Sequence, residues 1–278
     1  MVKYLAGFDP GHLHWNGLDL LERHRHTPKT DMRMHLDDAF NRGFWGVRDG
    51  LPWDHNTVER LNTVPNGFQD KVIWDIVHFH KPPTENELKR HLHEIEVNIP
   101  ENASVVGVCE PGDEGNVSTM SREEGIGLAA YIHTYLRSHR KNIRLFSCDT
   151  LHNHNDSSFE SNHILADMGL LDVIGFNYYP HFAHAPIEDL IGQLQHRLGH
   201  YNLPFALMET GWHDGYSHTQ GAYQHMNNRR EWWGYVKDVS ERFNLEFVCW
   251  YPFYDTWAWD GSDTLWANGF PMQHVSER

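Results

Sequence analysis

Residues 205–212 read FALMETGW: an apolar run, a glutamate, then Thr-Gly-Trp. A run this short reads as a strand rather than a helix, and the glutamate stands where the chain leaves the sheet. Seven similar runs lie at Tyr4–Asp9, Phe44–Arg48, Val72–Phe79, Val105–Glu110, Ile143–Asp149, Val173–Tyr178 and Phe247–Tyr251. With Phe205–Glu209 they make eight, and successive ends fall 29 to 42 residues apart. Rich in Val, Ile and Phe, they fit strands covered on both faces, as in a parallel sheet.

The connecting segments have helical character. Ser121–Ser138 opens on Ser with Glu123 and Glu124 in its first turn, and Ile187–Leu198 follows a proline. Tyr223–Phe243 carries a Trp232/Val236/Val239/Phe243 stripe, so helices are expected in all three. Gly, Pro and His interrupt the segments after the first three strands, and no helix is assigned there. The expected architecture is α/β, a single (β/α)8 barrel with short loops, with residues 1–278 as one domain.

Composition narrows the function classes. The chain has 278 residues, 40% hydrophobic and 13% aromatic, enough for a full core. Lys plus Arg total 23 against 38 acids, a formal charge of −15, which argues against nucleic acid or an anionic membrane as partner. An uncharged or cationic substrate suits that balance better than a phosphorylated one. Three Cys make no disulfide framework, and the opening MVKYLAGFDPGH lacks a basic segment followed by an apolar signal stretch. With no apolar stretch long enough to span a bilayer, a cytoplasmic location is expected. The 23 His residues invite a metal hypothesis.

In such a barrel, chemistry belongs to the C-terminal strand ends. Those ends deliver Asp9 with His12 and His14; Arg48 and Asp49; His78 and His80; Glu110; Asp149 with His152 and His154; Asn177, Tyr178 and Tyr179; Glu209; and Trp250 with Tyr251. Two carboxylates, Glu110 of VVGVCEPG and Glu209, end the fourth and seventh runs. Two carboxyl groups about 5–5.5 Å apart suffice for retaining glycoside hydrolysis, one as nucleophile and one as acid and then base.

These motifs resemble the large (β/α)8 clan of retaining glycoside hydrolases that includes the β-glucosidases, β-galactosidases and cellulases. The clan ends its fourth strand in Asn-Glu-Pro, where this chain has Cys109-Glu110-Pro111, and its seventh in the nucleophile, where this chain has Glu209-Thr210-Gly211-Trp212. DVIGFNYYP (172–180) is similar to the stretch whose Tyr hydrogen-bonds the nucleophile, and VIWDIVHF (72–79) resembles the third strand. VCWYPFYD (248–255) resembles the eighth strand with its sugar-stacking Trp, and FWGVRDGLPW (44–53) the second with its Arg.

The resemblance implies Glu209 as nucleophile and Glu110 as acid/base. It gives Arg48 and one of Tyr178 and Tyr179 as supports of Glu209, and Trp250 as the sugar platform. His80, or His78, would contact hydroxyls together with Asn177. Trp257, with Trp259 and Trp266, follows the eighth run in a polar loop and is expected to wall the site. His12, His14 and His152 are further substrate-contact candidates. A small-molecule β-linked glycoside would be the substrate, with no cofactor and no metal. Cys109 departs from the clan's Asn, which binds the sugar 2-hydroxyl, so Asn116 or an unusual substrate would have to compensate.

Two other readings use the same residues. His12 and His14 at the first strand, Glu110, His152 or His154, His181 or His184, and Asp255 could hold a zinc as in metal-dependent amidohydrolases, but Glu209, Arg48 and the tyrosines then have no task. A barrel that only binds sugar is the other, though it has little reason to retain both carboxylates and their supports. His24, His26, His91, His93, His133, His139 and His196 are expected to be mostly solvated. Trp232, Trp233 and the three Cys are expected to pack in the core.

Overall fold

A computed structural model describes residues 1–7, 39–50, 68, 71–76, 82–99, 103–108, 121–140, 142–151, 159–180, 183–211, 223, 226 and 229–250. The strands are β1 (Lys3–Gly7), β2 (Gly46–Gly50), β3 (Val72–Asp75), β4 (Ser104–Val108), β5 (Arg144–Thr150), β6 (Ile174–Asn177), β7 (Phe205–Thr210) and β8 (Phe247–Trp250). Each pairs in parallel with its neighbours in sequence, and β8 returns to β1, closing the barrel. Every strand expected from the apolar runs is present, displaced by a few residues at most ends.

Among the described residues five α-helices accompany them: α1 (Glu85–Asn98), α2 (Arg122–His139), α3 (Glu160–Asp167), α4 (Ile187–Leu198) and α5 (Arg229–Arg242). Ser121 caps α2 in a capping box with Glu124, as its sequence implies. Thr84 and Glu87 build the same box on α1, a helix in a segment where Pro and His obscure the pattern. Pro186 precedes α4, whose Leu190, Ile191 and Leu194 face the core.

Two apolar layers result. Leu5, Ile73, Phe146, Cys148, Val173, Ala206, Met208, Phe247 and Cys249 form one cluster; contributed from β1, β3, β5, the residue before β6, β7 and β8 of a closed barrel, it fills the interior. Alternate residues, such as Ala6, Val47, Trp74, Leu145, Phe176, Leu207 and Val248, face the helices in a second, larger layer. Gly175 of β6 points inward, and an added Cβ would meet the Ser147 carbonyl at 2.0 Å and the Met208 side chain at 2.7 Å. The missing side chain lets Met208 fill the interior there.

At the N-terminal ends of the strands, Lys3 and Arg144 bind Glu246 at 3.2 and 2.8 Å. Both cations also lie over the Phe247 ring, at 4.8 and 5.4 Å. This group ties β1, β5 and β8 together below the core. Two histidines expected at the surface are buried instead. His133 of α2 pairs its Nδ1 with the Leu170 carbonyl at 3.1 Å, and burial lowers its pKa to about 4. His91 of α1 pairs its Nε2 with the Ile76 carbonyl.

Candidate active site

Pleat decides which strand-end residues reach the mouth of the barrel. Along β6 and just beyond it, Val173, Gly175, Asn177 and Tyr179 point inward, while Ile174, Phe176 and Tyr178 join the helix-facing layer. Tyr179 therefore meets Glu209, its hydroxyl donating to Oε2 at 2.8 Å. Tyr178 does not. It is buried outside the wall, its hydroxyl donates to the Ala185 carbonyl at 2.8 Å, and burial raises its pKa. Asn177 lies inside, where Cys148 Sγ donates to its Oδ1 at 2.9 Å.

Glu209 would face the helices if β7 kept strict alternation, because Ala206 and Met208 are already inward. A register shift removes the conflict. Asn177 pairs with Glu209 directly after Phe176 pairs with Leu207, and the β7–β8 ladder slips between Leu207 and Thr210. The extra residue of this bulge turns Glu209 inward and Thr210 outward.

Arg48 of β2 reads that bulge. Its Nη1 lies 2.7 Å from Glu209 Oε1 and donates to the Met208 carbonyl at 2.6 Å. Its Nε donates to Asp75 Oδ1 of β3 at 2.9 Å. The side chains of Arg48 and Asp75 are 1% and 3% exposed, whereas that of Glu209 is 13% exposed, so the cluster opens to solvent at Glu209. Burial alone would lower the Arg48 pKa, but the charges of Asp75 and Glu209 outweigh it and hold the guanidinium firmly protonated. Burial raises the Asp75 carboxyl, and Arg48 offsets part of that rise. Cys249 lies near the same guanidinium, and burial pushes its thiol up, so it stays neutral.

Asp75 is a site residue that the strand-end pattern of the sequence does not mark. Its signal was available: a carboxylate inside an apolar strand must find a buried cation. Trp250 needs the opposite correction. It alternates with the inward Phe247 and Cys249, is buried in the outer layer, and meets Trp233 of α5 edge-on at 5.2 Å. It is no sugar platform, because its ring lies behind the wall. Asp149 also faces outward, bound by Arg122 of α2 at 3.0 Å and Ser161 of α3 at 2.5 Å. Glu110, Cys109, His12, His14, His78, His80, His152, His154 and Trp257 lie outside the described residues.

The fold and site together define a closed (β/α)8 barrel with an Asp–Arg–Glu–Tyr chain at the C-terminal ends of its strands. No protein-family model and no curated protein matches the chain by sequence. Among solved structures, a family 1 β-glucosidase from Thermotoga maritima superposes with a TM-score of 0.56 at 11% identity, over 90% of this chain and 88% of that one. A hyperthermophilic β-glucosidase mutant that forms a dodecamer in its crystal gives 0.56 and 11% over 90% of each chain. An endo-β-1,4-mannanase from Thermotoga petrophila gives 0.55 and 11%, over 90% of this chain and 68% of that one. The likeness read from the motifs thus holds at the level of fold.

Proposed function

We propose that the chain is a retaining glycoside hydrolase, with residues 1–278 as one catalytic domain acting on a small β-linked glycoside without a cofactor. The observation that carries this reading is Glu209 at the end of β7, turned inward and gripped through both oxygens by Arg48 and Tyr179 at 2.7 and 2.8 Å. A nucleophilic carboxylate needs such a hold, because a fixed near-attack geometry removes much of the entropic part of the barrier. Two charge-assisted donors fix the plane of the carboxylate and leave its solvent side for the substrate.

In the first step a Glu209 oxygen bonds to the anomeric carbon as the glycosidic C–O bond breaks, and Glu110 protonates the departing oxygen. In the second, water attacks the glycosyl ester and gives its proton to Glu110, which frees Glu209. Asn177, oriented by Cys148, together with His80, contacts sugar hydroxyls, and His12, His14, His152 and Trp257 complete the walls. The fold neighbours named β-glucosidase and mannanase support this class of reaction.

The test is trapping with a panel of 2-deoxy-2-fluoro glycosides bearing activated leaving groups, read by intact mass and peptide mapping. One adduct on Glu209 is expected, absent in Glu209→Gln, whose turnover falls at least about a thousandfold. Turnover by Glu209→Gln within about tenfold of the native chain would overturn the assignment.

A further inference from the structure

Trp232 of α5 lies outside the barrel wall and touches the back of both residues that frame Glu209. Its indole N–H donates to Thr210 Oγ1 at 3.1 Å, with both residues fully buried. Its ring stacks on Tyr178, with centroids 5.9 Å apart and planes 23° from parallel. Thr210 is the outward neighbour of Glu209, and Tyr178 is the outward neighbour of Tyr179. The two strand ends are also tied through their backbones, the Tyr178 N–H donating to the Glu209 carbonyl at 2.9 Å.

We infer that Trp232 is a positioning residue for Glu209, acting through the Thr210 hydroxyl to hold the β7 bulge in the register that turns the carboxylate inward. The bulge is a choice between two side-chain parities, and a bond on each side of the wall favours the observed one. Inside, Arg48 takes the Met208 carbonyl and the Glu209 carboxylate. Outside, Trp232 takes the Thr210 side chain. Were the strand to regain plain alternation, Thr210 would turn inward and its bond to the buried Trp232 indole would be lost. The inference rests on the reading of Glu209 as nucleophile for its kinetic consequence, though not for its geometry.

Trp232→Phe removes the donor and keeps an aromatic ring, and Thr210→Val removes the acceptor at nearly constant volume. In each, kcat on an activated aryl glycoside is expected to fall about ten- to a hundredfold with KM within about threefold, because a carboxylate displaced by about 1 Å still admits substrate. Thr210→Ser keeps the hydroxyl and keeps the rate. The double variant falls no further than either single one, since both break one bond. Trp233→Phe is the matched control: Trp233 is buried on the same helix, but its indole nitrogen has no hydrogen-bond partner among the described residues. It is expected to lower Tm and leave kcat within about twofold.

Crystal structures of Trp232→Phe and Thr210→Val supply a readout independent of turnover, with the Glu209 contact to Arg48 or Tyr179 expected to open beyond the roughly 3.5 Å of a hydrogen bond. If the native chain cleaves no glycoside, the functional reading fails and these contacts alone decide the positioning role. Unmoved contacts, or a loss of kcat no greater than that of Trp233→Phe, overturn it.

Discussion

Two clusters of charge close the two ends of this barrel, and they are built on opposite terms. At the C-terminal end one guanidinium serves two carboxylates, and only Glu209 meets solvent appreciably. At the N-terminal end two cations share one carboxylate, and Lys3, Arg144 and Glu246 remain 36%, 31% and 22% exposed. Removing an ion from water costs several kcal/mol unless each lost contact is replaced. The lower cluster avoids most of that penalty by staying wet and by resting its cations over Phe247. The upper cluster bears it, with excess negative charge that a merely structural bridge would not need. A buried, unbalanced group is where chemistry is to be sought, while the wet, spread one holds strands together.

The contrast breaks most visibly at Arg48. Arg48→Met leaves Asp75 and Glu209 without their cation, and is expected to lower the unfolding free energy by about 3–5 kcal/mol. Hydrolysis should fall more than about a thousandfold, since Glu209 loses its orientation as well as its charge partner. Denaturant unfolding and steady-state kinetics read the two effects. A stability change under about 1 kcal/mol would mean that the upper cluster is no costlier than the lower one.

A smaller effect is expected from Asp75→Asn. The amide oxygen can still accept from Arg48 Nε, so the loss of stability should stay within about 1–3 kcal/mol. The whole guanidinium charge then falls on Glu209 and weakens its attack, so kcat should drop about tenfold at nearly constant KM. An unchanged kcat would remove Asp75 from the catalytic account and leave it as a buried counterion.

Glu246→Gln probes the lower end and should change least: about 1 kcal/mol or less at neutral pH, and no change in kinetics. Burial tends to raise the Glu246 pKa, but the hydrogen bonds and charges of Arg144 and Lys3 outweigh it and hold it below the ordinary value. Its stabilising contribution is therefore present above the ordinary carboxylate range and is lost as pH falls through the lower folded value. Thermal unfolding of the two proteins should converge on acidification and also on adding salt. A difference that grew as pH fell would contradict this account.

How far the sequence reaches into this picture depends on the kind of information required. Apolar runs and their spacing are large-scale consequences of burial, and they located all eight strands. Parity is a single-residue property, and there the reading was weaker. The motifs alone leave Tyr178 and Tyr179 unresolved although pleating from Val173 separates them, and they place Trp250 inside although Cys249 occupies that side. Asp75 is hidden within a run that continues in apolar character to Phe79, whereas β3 ends at Asp75 itself. The α1 helix carried its Thr84…Glu87 capping signal, masked by the surrounding Pro and His. The β7 bulge has no compositional trace at all; it follows from the demands of Arg48 on one side and Trp232 on the other. His91 and His133 are expected in water from their place in helical segments, whereas the backbone carbonyls of Ile76 and Leu170 claim them.

The bulge also bears on how such a chain can change over time. Substitutions alter what a position offers, but a one-residue deletion within residues 206–208 would remove the extra residue on which the β7 bulge depends. Glu209 would then take the inward place that Met208 holds, one residue short of the Arg48 and Tyr179 donors, with no change in the chemistry of any side chain. Length, at this one strand, is as much a functional property as identity, and the segment should tolerate conservative replacement far better than the loss of a single residue.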